Sequence, residues 1–117
     1  KSSVDYYVLD FESTEKIPSA ASLLKSFEGI SITSPYKEHF LDEVKLDSHT
    51  QKLGAINCLF QKDSEVHGAN TDYLAIVDIL KKDLQSRDLE IIVLGDGVMS
   101  RVLQTALQEL AISYKVY

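Results

Sequence analysis

The sequence predicts an α/β protein in two unequal parts, and three observations carry that prediction. Short β-branched or aromatic runs alternate with helical patterns along the chain. The run Glu90-Ile91-Ile92-Val93-Leu94 is continuously apolar, as a parallel strand covered on both faces should be. It is followed at once by Gly95-Asp96-Gly97 and an amphipathic helix.

Element by element, Val4 to Phe11 reads as a strand because it is rich in Val and Tyr. Pro18 opens a helix with Ala20, Leu23, Leu24 and Phe27 on one face, and Gly29 stands where a helix stop belongs. Ile30 to Thr33 alternates like a short strand that Pro35 ends, and Tyr36 to Val44 has the spacing of a short helix. Ile56 to Phe60 and Val66 to Gly68 flank a Lys62-Asp63-Ser64 turn and read as a hairpin. The best-marked helix starts at Asn70-Thr71-Asp72, with Leu74, Val77, Leu80 and Leu84 as its apolar stripe. The charged stretch Lys81 to Asp88 is the expected domain boundary, dividing residues 1–86 from residues 87–117. Beyond it lie the strand at Glu90 to Leu94, a helix over residues 99–110 and a last strand from Ser113.

Composition narrows the function classes. Of 117 residues, 12 are basic and 18 acidic, for a net charge of −6, and the charges are scattered. Nucleic-acid binding would need a clustered basic face, so no nucleic-acid partner is expected. No apolar run reaches the ~20 residues of a membrane span, so no membrane partner is expected either. A single cysteine, Cys58, points to a reducing compartment, and cytoplasmic location is the expectation. Histidines 39, 49 and 67 fit no metal-ligand spacing, so no metal is expected. Oligomeric state is not readable.

Taken singly, the chemistry-bearing residues have ordinary explanations. Asp72 can cap the helix it begins, Lys37 can be a solvated lysine, and Thr33 fits a strand on propensity. Asn57 can sit at a strand edge, and Cys58 can be a small buried hydrophobe. Gly95-x-Gly97 can be a tight turn, or it can let a backbone approach a pyrophosphate at a helix N-terminus.

Order and context lift them out of that background. Ile32-Thr33-Ser34-Pro35-Tyr36-Lys37-Glu38, with Ser31 ahead of it, is similar to Asn-Val-Thr-x-Pro-x-Lys, and Gly54-Ala55-Ile56-Asn57-Cys58-Leu59 to Gly-Ala-Val-Asn-Thr-Leu. Gly68-Ala69-Asn70-Thr71-Asp72 is similar to Gly-x-Asn-Thr-Asp, and the run from Leu94 to Arg101 to Leu-Gly-x-Gly-Gly-x-Ser-Arg. In this order the four motifs resemble the shikimate dehydrogenase family. The resemblance implies an N-terminally truncated substrate-binding α/β domain over residues 1–86. Residues 87–117 would be the first βαβ portion of a Rossmann-type NADP-binding domain.

It further implies NADP(H)-dependent, reversible reduction of 3-dehydroshikimate to shikimate, in aromatic amino-acid biosynthesis. Lys37 and Asp72 would be the catalytic pair, and Ser31, Thr33 and Asn57 would bind substrate. Gly95, Asp96, Gly97, Val98 and Met99 would line the cofactor's pyrophosphate. An ammonium can protonate the alkoxide that hydride addition leaves, while an adjacent carboxylate orients it.

Departures from the pattern are Ser31 for Asn, Cys58 for Thr, and Tyr73 and Ala75 for two small residues. Tyr73 is expected to crowd the nicotinamide end of the site. Without the family's carboxylate-binding Ser-x-Ser segment and its later cofactor segment, the 117-residue chain alone is expected to be inactive. Two other readings stay open: a non-catalytic relative that binds ligand or serves as a structural domain, and a dehydrogenase of quinate or an aminated analogue.

Overall fold

Backbone polarity and side-chain alternation give a four-stranded mixed sheet followed by a small parallel pair. The computed structural model describes residues 3–84 and 87–117; Lys1, Ser2, Gln85 and Ser86, the last two at the expected domain boundary, lie outside the described residues. The strands are β1 (Gly29–Ser31), β2 (Lys45–Leu46), β3 (Cys58–Lys62), β4 (Glu65–Ala69), β5 (Ile91–Val93) and β6 (Tyr114–Val116). The first four form one sheet in the order β1-β3-β4-β2, and β5 pairs with β6 in parallel. The helices are α1 (Ala20–Leu23), α2 (Ser48–Leu53), α3 (Thr71–Ile79) and α4 (Val98–Glu109).

β3 and β4 form the expected hairpin, with Cys58 opposite Ala69 and Leu59 opposite Gly68. Asp63 and Ser64 both take positive φ at its turn, a conformation that short polar side chains tolerate. β1 runs antiparallel to β3, whereas β2 runs parallel to β4. The C-terminal ends of β1, β2 and β4 and the N-terminal end of β3 therefore share one edge of the sheet. Loops at that edge carry most of the candidate residues.

Two apolar clusters hold the chain. Leu23, Leu24, Ile32, Phe40, Ile56 and Leu59 fill one, between the first sheet and the segment containing α1. The other joins Leu53, Tyr73 and Leu80 to Val93, Val102, Ala106 and Leu107, so α3 and α4 pack on a common core. The inward set read for α4 matches this: Val102, Ala106 and Leu107 are buried, and Leu103 and Leu110 pack against them.

Five local features differ from expectation. Val4 to Phe11 forms no strand, and Val4, Tyr6, Tyr7, Val8 and Leu9 are exposed. High β-propensity describes how a residue suits a sheet, but it supplies no partner. Tyr36 to Val44 is not a helix; it is a run of turns with a 3-10 turn at Leu41–Glu43. A helix would need the Lys37 carbonyl to accept from Leu41, but that carbonyl accepts from Ile56 N–H at 2.8 Å instead. Gly29 is no helix stop, because α1 ends at Leu23 and Gly29 begins β1 opposite Phe60. On α3, Leu74 is 59% exposed while Tyr73 is 3% exposed, so the buried stripe runs from Tyr73 through Ile76, Val77 and Leu80. The helix then widens into a π-helical turn at Leu80–Leu84.

The fifth difference is an element no expectation covered, α2, which the hydrophobic pattern does not announce. Its stop and start signals do. Asp47 caps it by accepting from Thr50 N–H at 2.7 Å, and Gly54 ends it at φ 64°.

These contacts give two expected outcomes. Leu59→Ala, at a fully buried position, should lower unfolding stability by about 2–5 kcal/mol in urea titration. The backbone N–H of Thr50 holds the Asp47 carboxyl below its ordinary pKa. A lowered folded-state pKa stabilises above the unfolded value and is lost as pH falls through the folded one. Asp47→Ala should therefore cost about 1 kcal/mol at pH 7, a penalty that shrinks as pH drops below about 4. A pH-independent penalty would show that the carboxylate charge is not what caps α2.

Candidate functional site

The site is assembled where three chain segments meet at one sheet edge. Past β1, Ile32 N–H donates to the Asn57 carbonyl at 2.8 Å, and Thr33 opens a turn around the cis Ser34–Pro35 bond. Tyr36 N–H closes that turn on the Thr33 carbonyl at 2.9 Å. Lys37 follows, its carbonyl held by Ile56 just ahead of β3.

From β4, the Ala69 carbonyl takes Asn57 N–H, and Asn70 starts α3. Asn70 is 2% exposed and makes two hydrogen bonds, accepting from Tyr73 N–H and donating to the Ala55 carbonyl. Asn57 bridges the same junction with its side chain. Its Nδ2 donates to Thr71 Oγ1 at 2.8 Å, and its Oδ1 accepts from Thr71 N–H at 2.9 Å.

The result is that Lys37 Nζ lies 3.1 Å from Asp72 Oδ2, although the two are 35 residues apart. The Lys37 side chain is 14% exposed and that of Asp72 36%. The ammonium is thus largely removed from water while its carboxylate partner still faces solvent. Asn70, not Asp72, supplies the N-terminal cap of α3, accepting from Tyr73 N–H at 3.0 Å. The capping explanation of Asp72 therefore falls away, leaving its carboxylate for Lys37.

Other expected residues gather less tightly. Ser31 pairs with Cys58 across β1–β3 and is exposed; Thr33 is exposed and donates from its hydroxyl to the Ser34 carbonyl at 3.2 Å. Neither side chain bonds to the lysine–carboxylate pair among the described residues. Cys58 is half-buried, not the fully buried hydrophobe its residue type suggests, and its partial burial pushes the thiol pKa up.

The glycine turn follows β5. Gly95 adopts φ 99°, which an L side chain resists, and donates its N–H to the Tyr117 carbonyl at 2.9 Å. Ser100 Oγ closes the turn on the Gly95 carbonyl at 2.7 Å. Asp96 and Met99 are exposed, and Val98 is half-buried. A Cβ at Gly95 or Gly97 would meet nothing within 4 Å, and Gly97 caps α4 without any side-chain acceptor. An open backbone at an uncapped helix start fits a pyrophosphate. Met99 also reaches the other motif, its Sδ lying 3.7 Å from Lys37 Nζ.

Tyr73 does not crowd this edge. It is turned into the second core cluster, stacked on His49 with ring centroids 5.3 Å apart. Burial, then the Glu109 and Asp47 carboxylates, raise its phenol pKa. Residues missed in the sequence are Thr71, the partner of Asn57, and Glu38, whose carboxylate pairs with Arg101. The hairpin register would have found the first: one step beyond Cys58 opposite Ala69 brings Asn57 to the start of α3.

A mixed-sheet α/β unit running into a strand–glycine turn–helix defines the class as an α/β protein with a Rossmann-type unit behind its first sheet. No family model matches the chain. The shikimate dehydrogenase (NADP(+)) of Saccharolobus solfataricus is 31% identical over 112 residues, spanning 92% of this chain and 39% of that protein. That of Syntrophomonas wolfei is 34% identical over 113 residues, spanning 92% and 38%. Among solved structures, shikimate 5-dehydrogenase from Thermus thermophilus, in complex with NADP(H) and shikimate, superposes with a TM-score of 0.69. It is 26% identical, over 83% of this chain and 38% of that one. The Aquifex aeolicus shikimate dehydrogenase gives 0.65 at 28% identity, over 82% and 35%. The chain is homologous to these shikimate dehydrogenases and spans about two fifths of the length of the curated relatives it matches.

Asn57→Ala removes both side-chain bonds to Thr71 and should cost about 1–3 kcal/mol in urea unfolding. An unchanged midpoint would show that the backbone ladder alone holds the edge.

Proposed function

We propose that the protein catalyses NADP(H)-dependent, reversible reduction of 3-dehydroshikimate to shikimate, with Lys37 and Asp72 as its catalytic pair. The observation that carries this is the 3.1 Å contact between Lys37 Nζ and Asp72 Oδ2 at the sheet edge. Supporting it, relatives named shikimate dehydrogenase (NADP(+)) match the chain, and the Thermus thermophilus structure holds NADP(H) and shikimate.

Substrate lies over the edge formed by the ends of β1 and β4. Ser31, Thr33 and Asn57 offer it hydroxyl and amide groups, and Gly95, Asp96, Gly97, Val98 and Met99 line the pyrophosphate. When bound, NADPH supplies the hydride that reduces the ketone carbon. Lys37 Nζ gives its proton to the carbonyl oxygen as negative charge develops there, and in the reverse direction it takes the proton back. Asp72 holds the ammonium in position, limiting its rotamers so that little orientation is lost at the reacting step. Residues 1–86 belong to the substrate-binding domain and residues 87–117 begin the cofactor domain. We place the protein in the cytoplasm, where a lone thiol such as Cys58 stays reduced. Among the described residues no helix is long and apolar enough to cross a membrane.

The test is NADP-linked oxidation of shikimate by the full-length protein that contains this chain, since the 117 residues alone are expected to be inactive, and by its Lys37→Ala and Asp72→Asn variants. Lys37→Ala should lower kcat by about 10²–10⁴ with a smaller change in KM. Asp72→Asn should lower it less, since the amide keeps part of the hydrogen bond. Wild-type turnover in Lys37→Ala would remove the lysine from the chemistry. Binding of shikimate and NADPH by calorimetry without turnover would instead identify a non-catalytic relative. Turnover of quinate in preference to shikimate would move the substrate assignment within the same reaction class.

A further inference from the structure

The turn that carries Lys37 touches the first turn of α4 at two consecutive residues. Lys37 Nζ is 3.7 Å from Met99 Sδ, and the Glu38 carboxylate pairs with the Arg101 guanidinium. The partners are 62 and 63 residues apart, so neither contact is local. Every other ion pair among the described residues joins residues four apart in sequence, residues on adjacent strands or beside them, or is the Lys37–Asp72 pair itself. Among those residues, Glu38–Arg101 alone bridges the segment before residue 85 and the segment after residue 86 by charge.

We propose that Glu38 and Arg101 are positioning residues for the reaction, setting the height of the α4 N-terminus over the Lys37–Asp72 pair. This inference rests on the oxidoreductase reading given above. The physical argument is one of lever arms. α3 and α4 already pack on a shared core, which fixes that α4 lies against the first unit. That packing seats the middle of α4, whereas its first turn, with Gly97 and Met99, is exposed. A directional contact at the helix start holds that turn where it matters. Gly97, the start of α4, is four residues from Arg101, and Glu38 is next to Lys37. One pair therefore holds the pyrophosphate-facing turn and the proton donor in a fixed relation.

The two side chains are about half exposed, 47% for Arg101 and 54% for Glu38. Exposed pairs couple by roughly 0.2–1 kcal/mol, which corresponds to at most about fivefold in an equilibrium constant. A guanidinium is suited to this because its planar fork fixes direction as well as distance.

The experiment measures NADPH dissociation constants by cofactor fluorescence, which needs no turnover, on the full-length protein that contains this chain and on three variants of it. Arg101→Met and Glu38→Gln should each weaken NADPH binding about two- to fivefold. The charge-reversed double variant, Glu38→Arg with Arg101→Glu, should return to within about twofold of wild type, because the pair is restored. In steady state the single variants should lower kcat as well as raise the KM for NADP, a joint change expected when the proton donor and the cofactor lose register.

If Arg101 instead touches phosphate directly, Arg101→Met weakens binding while Glu38→Gln strengthens it, and the reversed double is the weakest of all; that pattern overturns the inference. So do single variants indistinguishable from wild type. Failure of the wild-type protein to bind NADPH would overturn the oxidoreductase reading and this inference with it, whereas unchanged binding in the variants overturns the inference alone.

Discussion

A slip of one residue between β3 and β4 would dismantle the candidate site. With Cys58 opposite Ala69, Asn57 N–H meets the Ala69 carbonyl and the Asn57 side chain meets Thr71. That puts the first turn of α3 beside the residue that precedes β3. Ile56, one residue earlier, then holds the Lys37 carbonyl, so Lys37 reaches Asp72. Strand side chains alternate with a period of two, so a shifted register would turn Leu59, now fully buried, toward solvent. The core therefore enforces the register, and the register places the pair.

The electrostatics of the edge follow from which partner is covered. The Lys37 side chain is the more covered of the two and Asp72 the more open, with the carboxylate 3.1 Å from the ammonium. Removing the carboxylate would leave a half-buried ammonium without its charged partner, whereas the Lys82–Asp78 pair is open to water on both sides. Asn70 makes this arrangement possible. It satisfies the α3 terminus from a buried position, leaving the Asp72 carboxylate free for the lysine. Two residues of one short motif thus divide two tasks, the neutral amide capping the helix and the carboxylate pairing with the ammonium.

Tyr73 shows how one helix serves both parts of the chain. From the residue after Asp72 it enters the cluster that also contains Val102, Ala106 and Leu107 of α4. α3 therefore pairs with the lysine through Asp72 in its first turn and packs on α4 through its buried face. A bulky residue beside Asp72 costs the edge nothing, because helical geometry turns successive side chains by about 100°.

Much of this was legible in the residues themselves. The hairpin, α3, β5, the Gly95–Gly97 turn and α4 were readable because their signals are local: alternation, capping side chains, a continuous apolar run and glycines at a tight turn. The Lys37 and Asp72 motifs could be recognised by their order. Helix α2 carried its signals too, in Asp47 and Gly54, but its residues Ser48–Leu53 lack the apolar stripe that draws attention to a helix. Tertiary structure decided the rest. Val4 to Phe11 has strand propensity without a partner, and the Tyr36–Val44 helix is forestalled by a bond to Ile56 that no window of sequence contains. The same applies to the pair itself. By itself the sequence determined that a lysine follows a Pro-containing turn and that an aspartate begins a helix. Only the fold decided that they meet, because their separation is closed by a sheet register that the buried core selects.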